Sequence, residues 1–261
     1  MSDGTPGTER RADGRGEPVV IVGPMPQPSA DAVERHPHLA NALEPGWVRV
    51  DLHSHTMWSG DSTTTPDEIE AAVVASGLDV LCITDHNAIK GAVDLADVLP
   101  CRVVVGEELR THAGEIIGLF LRERIPFGTS PADAARTIRA QGGIVYVPHP
   151  FDAMRRNLAE PALAALVATG LVDAIEVMNA KTSLQSLNRR AVDYAASHDL
   201  AAGAGSDAHV PHAVGAAYVE MPDFDGAQDF LEKLRVARIV GHHWDEPRPW
   251  SARVLPSTTS S

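Results

Sequence analysis

The chain has 261 residues, 44% hydrophobic and 22% charged, enough for one large barrel or two modest globular domains. Its formal net charge of −13 argues against a non-specific grip on DNA or RNA, whose phosphate backbones are held mainly by Lys and Arg. No apolar run approaches the roughly 18 residues of a membrane helix, the first residues lack the apolar core of a secretory signal, and two cysteines make no disulfide framework, so a cytoplasmic protein with no membrane partner is expected.

Residues 1–46 are rich in proline and small polar residues, with one β-like run at 19–22, and read as a leader or strap. A barrel domain is expected over 47–246, followed by a flexible tail over 247–261. Inside the domain, short β-branched runs recur at 48–52, 80–84, 103–106, 116–121, 144–147, 174–178, 201–204 and 217–221. Most are separated by Ala- and Leu-rich amphipathic segments. Thr65-Pro66-Asp67-Glu68 and Ser130-Pro131-Ala132-Asp133 open two of these with proline at the first helical position and acid in the first turn. Alternation repeated this often, with no dinucleotide-binding glycine motif, predicts an α/β fold closed into a barrel. Cys82 and Cys101 lie in apolar stretches and read as buried free thiols.

The chain carries 12 histidines against 22 Lys and Arg, and several of them sit with acids directly after a predicted strand. His53, His55 and Asp61 follow the first strand, and Asp85 and His86 end the second. Glu107 and Glu108 end the third, with only one of the two able to point inward. His149 follows the strand at 144–147, and Asp207 and His209 follow the late strand at 201–204. In a β/α barrel all these positions converge at the C-terminal mouth, where active sites sit. Glu115 starts a strand instead of ending one. Too few residues separate it from the previous strand for a parallel crossover, so a hairpin is implied that sets Glu115 beside Glu108.

Imidazoles and carboxylates are the ligands of Zn, Mn and Fe, and His-x-His at a strand end aims two imidazoles the same way. Glu108, Asp207 and Glu115 can supply the carboxylates that two or three neighbouring ions need. Arg155, Arg156 and Lys181 follow later strand ends and are candidates to position a phosphate. A single His-x-His carries little weight: His36-Pro37-His38 lies in the leader and reads as surface, as does His242-His243, while His112, His198 and His212 read as solvated. Glu176 divides evenly between an inward donor and a core-edge acid. The joint occurrence at five strand ends is what points to a metal centre.

Asp51-Leu52-His53-Ser54-His55-Thr56, Thr84-Asp85-His86-Asn87, Gly106-Glu107-Glu108, Pro148-His149-Pro150 and Gly205-Ser206-Asp207-Ala208-His209 together resemble the PHP (polymerase and histidinol phosphatase) family, in family order, over roughly residues 48–221. The resemblance implies a distorted (β/α)7 barrel holding two or three divalent ions (Mn, Zn or Fe). It implies as ligands His53, His55, Asp61, His86, Glu108, His149, Asp207 and His209. Two positions depart from the pattern. Ser59-Gly60-Asp61 stands where the family usually has Ser-Asp-Gly, and Gly114-Glu115 where many members have Gly-His.

The expected activity is hydrolysis of a small phosphate mono- or diester through a metal-bridging hydroxide, with His86, His209 or Asp61 in the proton-transfer role. Histidinol phosphate, nucleoside monophosphates and small cyclic or diester phosphates all suit such a site. An amidohydrolase acting on C–N or C–O bonds is the main rival; it would carry a bridging Lys on a middle strand, where this chain has His149. A nuclease is a second rival, disfavoured by the net charge. A purely structural metal site is a third, and it would close with four ligands.

Overall fold

The computed structural model describes residues 30, 37–40 and 42–242. The β-like run at 19–22, His36, His243 and the 247–261 tail lie outside the described residues. Among the described residues no helix is long and apolar enough to cross a membrane.

Among the described residues nine strands form one sheet that curls into a nearly closed barrel. They are β1 (Trp47–Ser54), β2 (Val80–Ile83), β3 (Arg102–Thr111), β4 (Gly114–Leu119), β5 (Ile144–Val147), β6 (Ala174–Asn179), β7 (Ala201–Gly205), β8 (Ala217–Pro222) and β9 (Arg238–Gly241). Their order is β7-β6-β5-β4-β3-β2-β1-β8-β9. Strands β1, β2, β3, β5, β6 and β7 run in one direction, whereas β4 and β8 run antiparallel to their neighbours. All eight expected strands are present. The ninth, Arg238-Ile239-Val240-Gly241, is mostly exposed on the sheet edge and lacks the buried alternation that marks the others.

Strands β2 and β5 are apolar throughout because both of their faces are buried, whereas β1, β3 and β6 also carry buried charged residues such as Asp51, Glu107 and Glu176. On β2, Val80 and Cys82 point into the barrel while Leu81 and Ile83 point outward; on β5, Ile144 and Tyr146 point in, Val145 and Val147 out. The interior cluster is closed at the end away from the strand C-termini by Phe224, Phe230 and Leu234, the last two from helix α6 (Gly226–Leu234). Outside, α1 (Pro66–Ser76) and α2 (Lys90–Leu95) cover one flank. Helices α3 (Pro131–Ala140), α4 (Glu160–Ala168) and α5 (Gln185–Ser197) cover the other. Thr65 forms a capping box with Glu68, and the Ser130 hydroxyl accepts from the Asp133 amide. Cys82 and Cys101 are buried free thiols.

The barrel seam lies between β7 and β1. There the Asp207 amide donates to the His53 carbonyl at 2.8 Å and the His55 amide to the Ala208 carbonyl at 3.0 Å. The small residues of β7, Ala-Ala-Gly-Ala-Gly, permit this approach. A Cβ on Gly205 would lie 2.4 Å from the His53 Cβ and 2.8 Å from Glu176 Oε1.

His38 corrects a sequence expectation. Instead of lying on the surface, it packs half-buried against Tyr218 and His242, with ring centroids 5.2 and 5.3 Å away, and its Nε2 meets the Gly215 carbonyl at 3.2 Å. His242 is likewise half-buried by this contact. Two aromatic neighbours and a carbonyl make a short polar-tipped segment pack where composition suggested solvent. His112 is exposed, and His198 is exposed with its ring on Tyr194, as expected; His212 is half-buried.

Burial lowers the His38 pKa from 6.5 to about 4. The folded state therefore favours the neutral ring, and the unfolded chain binds the proton first as pH falls. The stability from this contact should be complete above pH 6.5 and decline between 6.5 and about 4. Thermal melts across that range should show the decline flattened in His38→Gln; an unchanged profile in the variant refutes the assignment.

Candidate metal centre

The ligand candidates arrive at one place because each lies in or beyond the C-terminal half of a strand that runs to the barrel mouth, save Glu115, which opens the returning strand β4. Glu108 of β3 is the hub. Its Oε2 lies 3.4 Å from His53 Nε2, 3.2 Å from His55 Nε2 and 3.3 Å from His86 Nδ1, and its Oε1 lies 2.9 Å from His149 Nε2. His53 Nε2 and His55 Nε2 face each other at 3.0 Å. At the back, Asp207 lies 3.6 Å from His55 Nε2 and 3.3 Å from His209 Nδ1. At the front, Asp61 lies 3.1 Å from His86 Nε2 and 3.5 Å from His209 Nε2. The displaced acid of the first motif is thus among the others.

The hairpin inferred for Glu115 is present: β3 and β4 pair antiparallel, with Arg110 opposite Glu115 and Glu108 opposite Ile117. Glu115 is a diagonal neighbour of Glu108 and joins it and His86 in one donor group. Of the adjacent acids, Glu108 turns inward, while Glu107 accepts from the Ile125 amide at 2.8 Å on the other side of β3. At the hairpin tip Gly114 has φ 123°, and a Cβ there would sit 2.3 Å from the Asn157 carbonyl oxygen. Only glycine fits.

Among the described residues four overlapping donor groups result: His55, Asp61, His86 and His209; His53, His55 and Glu108; His53, His149 and Asp207; and His86, Glu108 and Glu115. The chemistry of these groups fits divalent cations. Facing imidazole nitrogens 3.0 Å apart and carboxylates packed among them need positive charge between them. Burial first, and then the Glu108 charge, push the Glu115 carboxyl up to about 7. Burial also works against Asp207, but Lys181, Arg155 and the nearby histidines outweigh it and hold that carboxyl well below the usual range. Burial opposes Asp61 too, yet hydrogen bonds from His209 and His86 keep it low.

A supporting layer holds the rings in place. Glu176 is fully buried; it meets His53 Nδ1 at 3.2 Å, accepts from the His149 amide at 2.6 Å and from Asn179 Nδ2 at 2.9 Å. It orients donors from behind. Ser59 lies 2.8 Å from His55 Nδ1 and accepts from the His86 amide at 3.0 Å. Asp51 accepts from the amides of His53, Ser206 and Gly215, tying β1 to the β7 and β8 ends, and Asp85 accepts from the Thr56 amide and hydroxyl. His149 and Asp207 carry left-handed backbone, φ 26° and 50°. Such conformations cost about 1–3 kcal/mol each and persist only where the surroundings enforce them.

The centre floors an open cavity of about 390 Å³ whose walls include Arg110, Met154, Arg155, Arg156 and Lys181. Arg155 lies 3.2 Å from Asp207 Oδ2, and Lys181 Nζ lies 3.3 Å from Asp207 Oδ1 and 2.7 Å from His209 Nδ1. The loops bearing these two cations are fastened together by Asp152, which accepts from Thr182 Oγ1 at 3.0 Å and from the Ser183 amide and hydroxyl at 2.7 Å each. Arg156 is exposed at the rim. Sequence reasoning passed over Arg110, Asp51, Ser59 and Asp152. Arg110 was findable, since it stands two residues from Glu108 on one strand and so shares its face; Asp51 reveals itself only through backbone partners, and Ser59 and Asp152 through backbone and side-chain partners that only the fold brings near.

The sequence model of the PHP domain matches residues 51–117, and that of the PHP-associated region matches residues 185–239. An uncharacterized protein of Methanocaldococcus jannaschii is 35% identical over 198 residues, covering 72% of this chain and 80% of the relative. The chain belongs to the PHP family. A second protein of the same archaeon is 38% identical over 146 residues, covering 51% of this PHP chain and 82% of the relative. Solved structures share the PHP fold at lower identity. A two-domain protein of Bacteroides vulgatus containing a predicted PHP-like metal-dependent phosphoesterase superposes with TM-score 0.62 at 21% identity, covering 75% of this chain and 65% of that one, just under two thirds of its length. PsfC from Pseudomonas syringae gives 0.59 at 20% identity, covering 75% and 92%. An amidohydrolase from Chromobacterium violaceum with bound sulfate gives 0.52 at 18%, covering 64% and 89%.

Within this PHP centre, Glu176→Gln should lower divalent-ion affinity by about 10–100-fold while the fold survives, because partners behind a ligand carry that much of its binding. Titration of stripped protein with manganese or zinc, beside a circular-dichroism melt, measures both. Wild-type affinity in the variant would show that Glu176 does not orient the donors.

Proposed function

We propose that the protein is a metal-dependent phosphoesterase acting on a small phosphate mono- or diester. One observation carries this reading: a cluster of metal-donor side chains floors a cavity whose walls are cationic. A bare metal hydrolase needs only the floor. Arg155, Arg156 and Lys181 on the walls suit a substrate that brings negative charge, and the open cavity suits a small molecule better than a polymer groove.

The ions would be held by His53, His55, Asp61, His86, Glu108, Glu115, His149, Asp207 and His209, in the overlapping groups described above. Divalent ions bound there supply a lowered water pKa and neutralisation of phosphoryl charge. The protein's own groups do the rest. Arg155 and Lys181, already paired with Asp207, are fixed at the cavity wall and orient the phosphoryl oxygens. Arg156 at the rim draws in the anion. Asp61 aligns the His86 and His209 rings at the cavity mouth, and whichever of the two is not bound to an ion stands where a leaving alkoxide must collect a proton.

Purified protein should contain manganese, zinc or iron by elemental analysis, and with added manganese it should hydrolyse members of a panel of phosphate mono- and diesters. His53→Ala should reduce turnover by at least about 100-fold, the scale of losing a group that assembles the site. Cleavage of amides or lactones with no phosphoester turnover would transfer the reading to the amidohydrolase class. Absence of metal together with wild-type behaviour of His53→Ala would sink it.

Lys181 gives a second check. Lys181→Met should raise KM for phosphoesters more than it lowers kcat if the ammonium chiefly binds the ground-state anion, and a fall in kcat with KM unchanged would assign it to the transition state instead.

A further inference from the structure

Arg110 stands two residues beyond Glu108 on β3 and directly opposite Glu115 in the hairpin register. Its Nε donates to Glu115 Oε1 at 3.1 Å, and a terminal nitrogen lies 3.5 Å from Asp61 Oδ2. It therefore touches the two carboxylates at which this sequence departs from the family pattern that its motifs resemble. The side chain lines the metal cavity and also a second cavity, of about 330 Å³, between the hairpin tip and residues 156–159. The partly exposed Arg110 side chain thus stands, with Glu115 and Arg156, between the two.

Both oxygens of the Glu115 carboxylate face the cluster: Oε1, which accepts from Arg110, lies 3.7 Å from His86 Nδ1, and Oε2 lies 3.7 Å from His149 Nε2. The guanidinium thus sets one fixed positive charge against two carboxylates, Glu115 and Asp61, that belong to the donor groups of the outer ion. We propose that Arg110, through its contacts with Glu115 and Asp61, is the positioning residue that sets how tightly the ion at the open side of the centre is held. This rests on the metal-centre reading above.

The effect is local to the outer ion. Asp61 and Glu115 belong to the two donor groups that contain His86, whereas the groups of His53, His55 and Glu108 and of His53, His149 and Asp207 hold no partner of Arg110. Two influences of Arg110 oppose each other. Its charge repels a nearby divalent ion, and its hydrogen bonds order two carboxylates. Repulsion dominates, because the Glu115 backbone is fixed independently of the guanidinium, by pairing with β3 and by its amide donating to the Arg156 carbonyl at 2.8 Å.

The test is equilibrium dialysis of stripped full-length protein against buffered manganese, with metal content read by elemental analysis, for wild type, Arg110→Ala, Arg110→Lys, Glu115→His and the double variant Arg110→Ala/Glu115→His. Arg110→Ala should tighten the weakest-held ion about tenfold, Glu115→His should weaken it about tenfold by leaving the guanidinium uncompensated, and the double variant should return to within about threefold of wild type. Arg110→Lys, which keeps the charge, should stay near wild type, and melts in chelator show that all variants fold. A wild type that takes up no manganese overturns the metal-centre reading and the pair with it. A wild type that binds, with Arg110→Ala unchanged or weakened additively with Glu115→His, overturns the pair alone.

Discussion

One carboxylate, Glu108, organises the barrel mouth. It is buried and within about hydrogen-bonding distance of four imidazoles drawn from three other strand ends, His53 and His55, His86, and His149. Burial penalises its charge, yet the surrounding rings outweigh the penalty and hold it ionised, most of all His53. An anion kept charged away from water must be compensated wherever it sits. The rest of the site follows from that demand. The donors must converge, the strands that bring them must end at one level, and the loops behind must lock each ring.

The supporting contacts show how the demand is met. Glu176 holds His53 and the His149 amide, Ser59 joins His55 to the His86 amide, and Asp51 gathers three amides from separate strand ends. Left-handed backbone at His149 and Asp207 turns those residues inward at once after their strands. Cations meet the outer carboxylates, with Arg155 and Lys181 on Asp207 and Arg110 on Asp61 and Glu115. Imidazole and carboxylate form the floor, and fixed positive charge forms the wall.

Much of this was legible in the sequence, for definite reasons. Strands buried on both faces leave unbroken β-branched runs, and donors placed directly after such runs are brought together by barrel geometry alone. Glu115 was placed by loop length, since so short a connection permits only a hairpin. The helix starts at Thr65 and Ser130 were legible because capping is a local code. Other features were not. Strand β9 is mostly exposed and carries no burial pattern. His38 packs through partners far along the chain, at Gly215, Tyr218 and His242. Asp51 and Ser59 act on main-chain groups, and contacts with backbone leave no residue-type signature in the partner. Glu176 was balanced between two readings because periodicity tells which way a side chain points, not what it meets there.

The seam between β7 and β1 has a consequence for how the molecule is held shut. The residues that close it, His53, His55, Asp207 and Ala208, are ion donors or their immediate neighbour. Completing the cylinder and assembling the ion cradle are therefore one event. An ion that binds only the assembled cradle stabilises the closed wall by mass action, in proportion to the logarithm of its free concentration. Ions held there would act as a clasp on the wall, tying how firmly the barrel stays closed along that line to the ambient supply of metal.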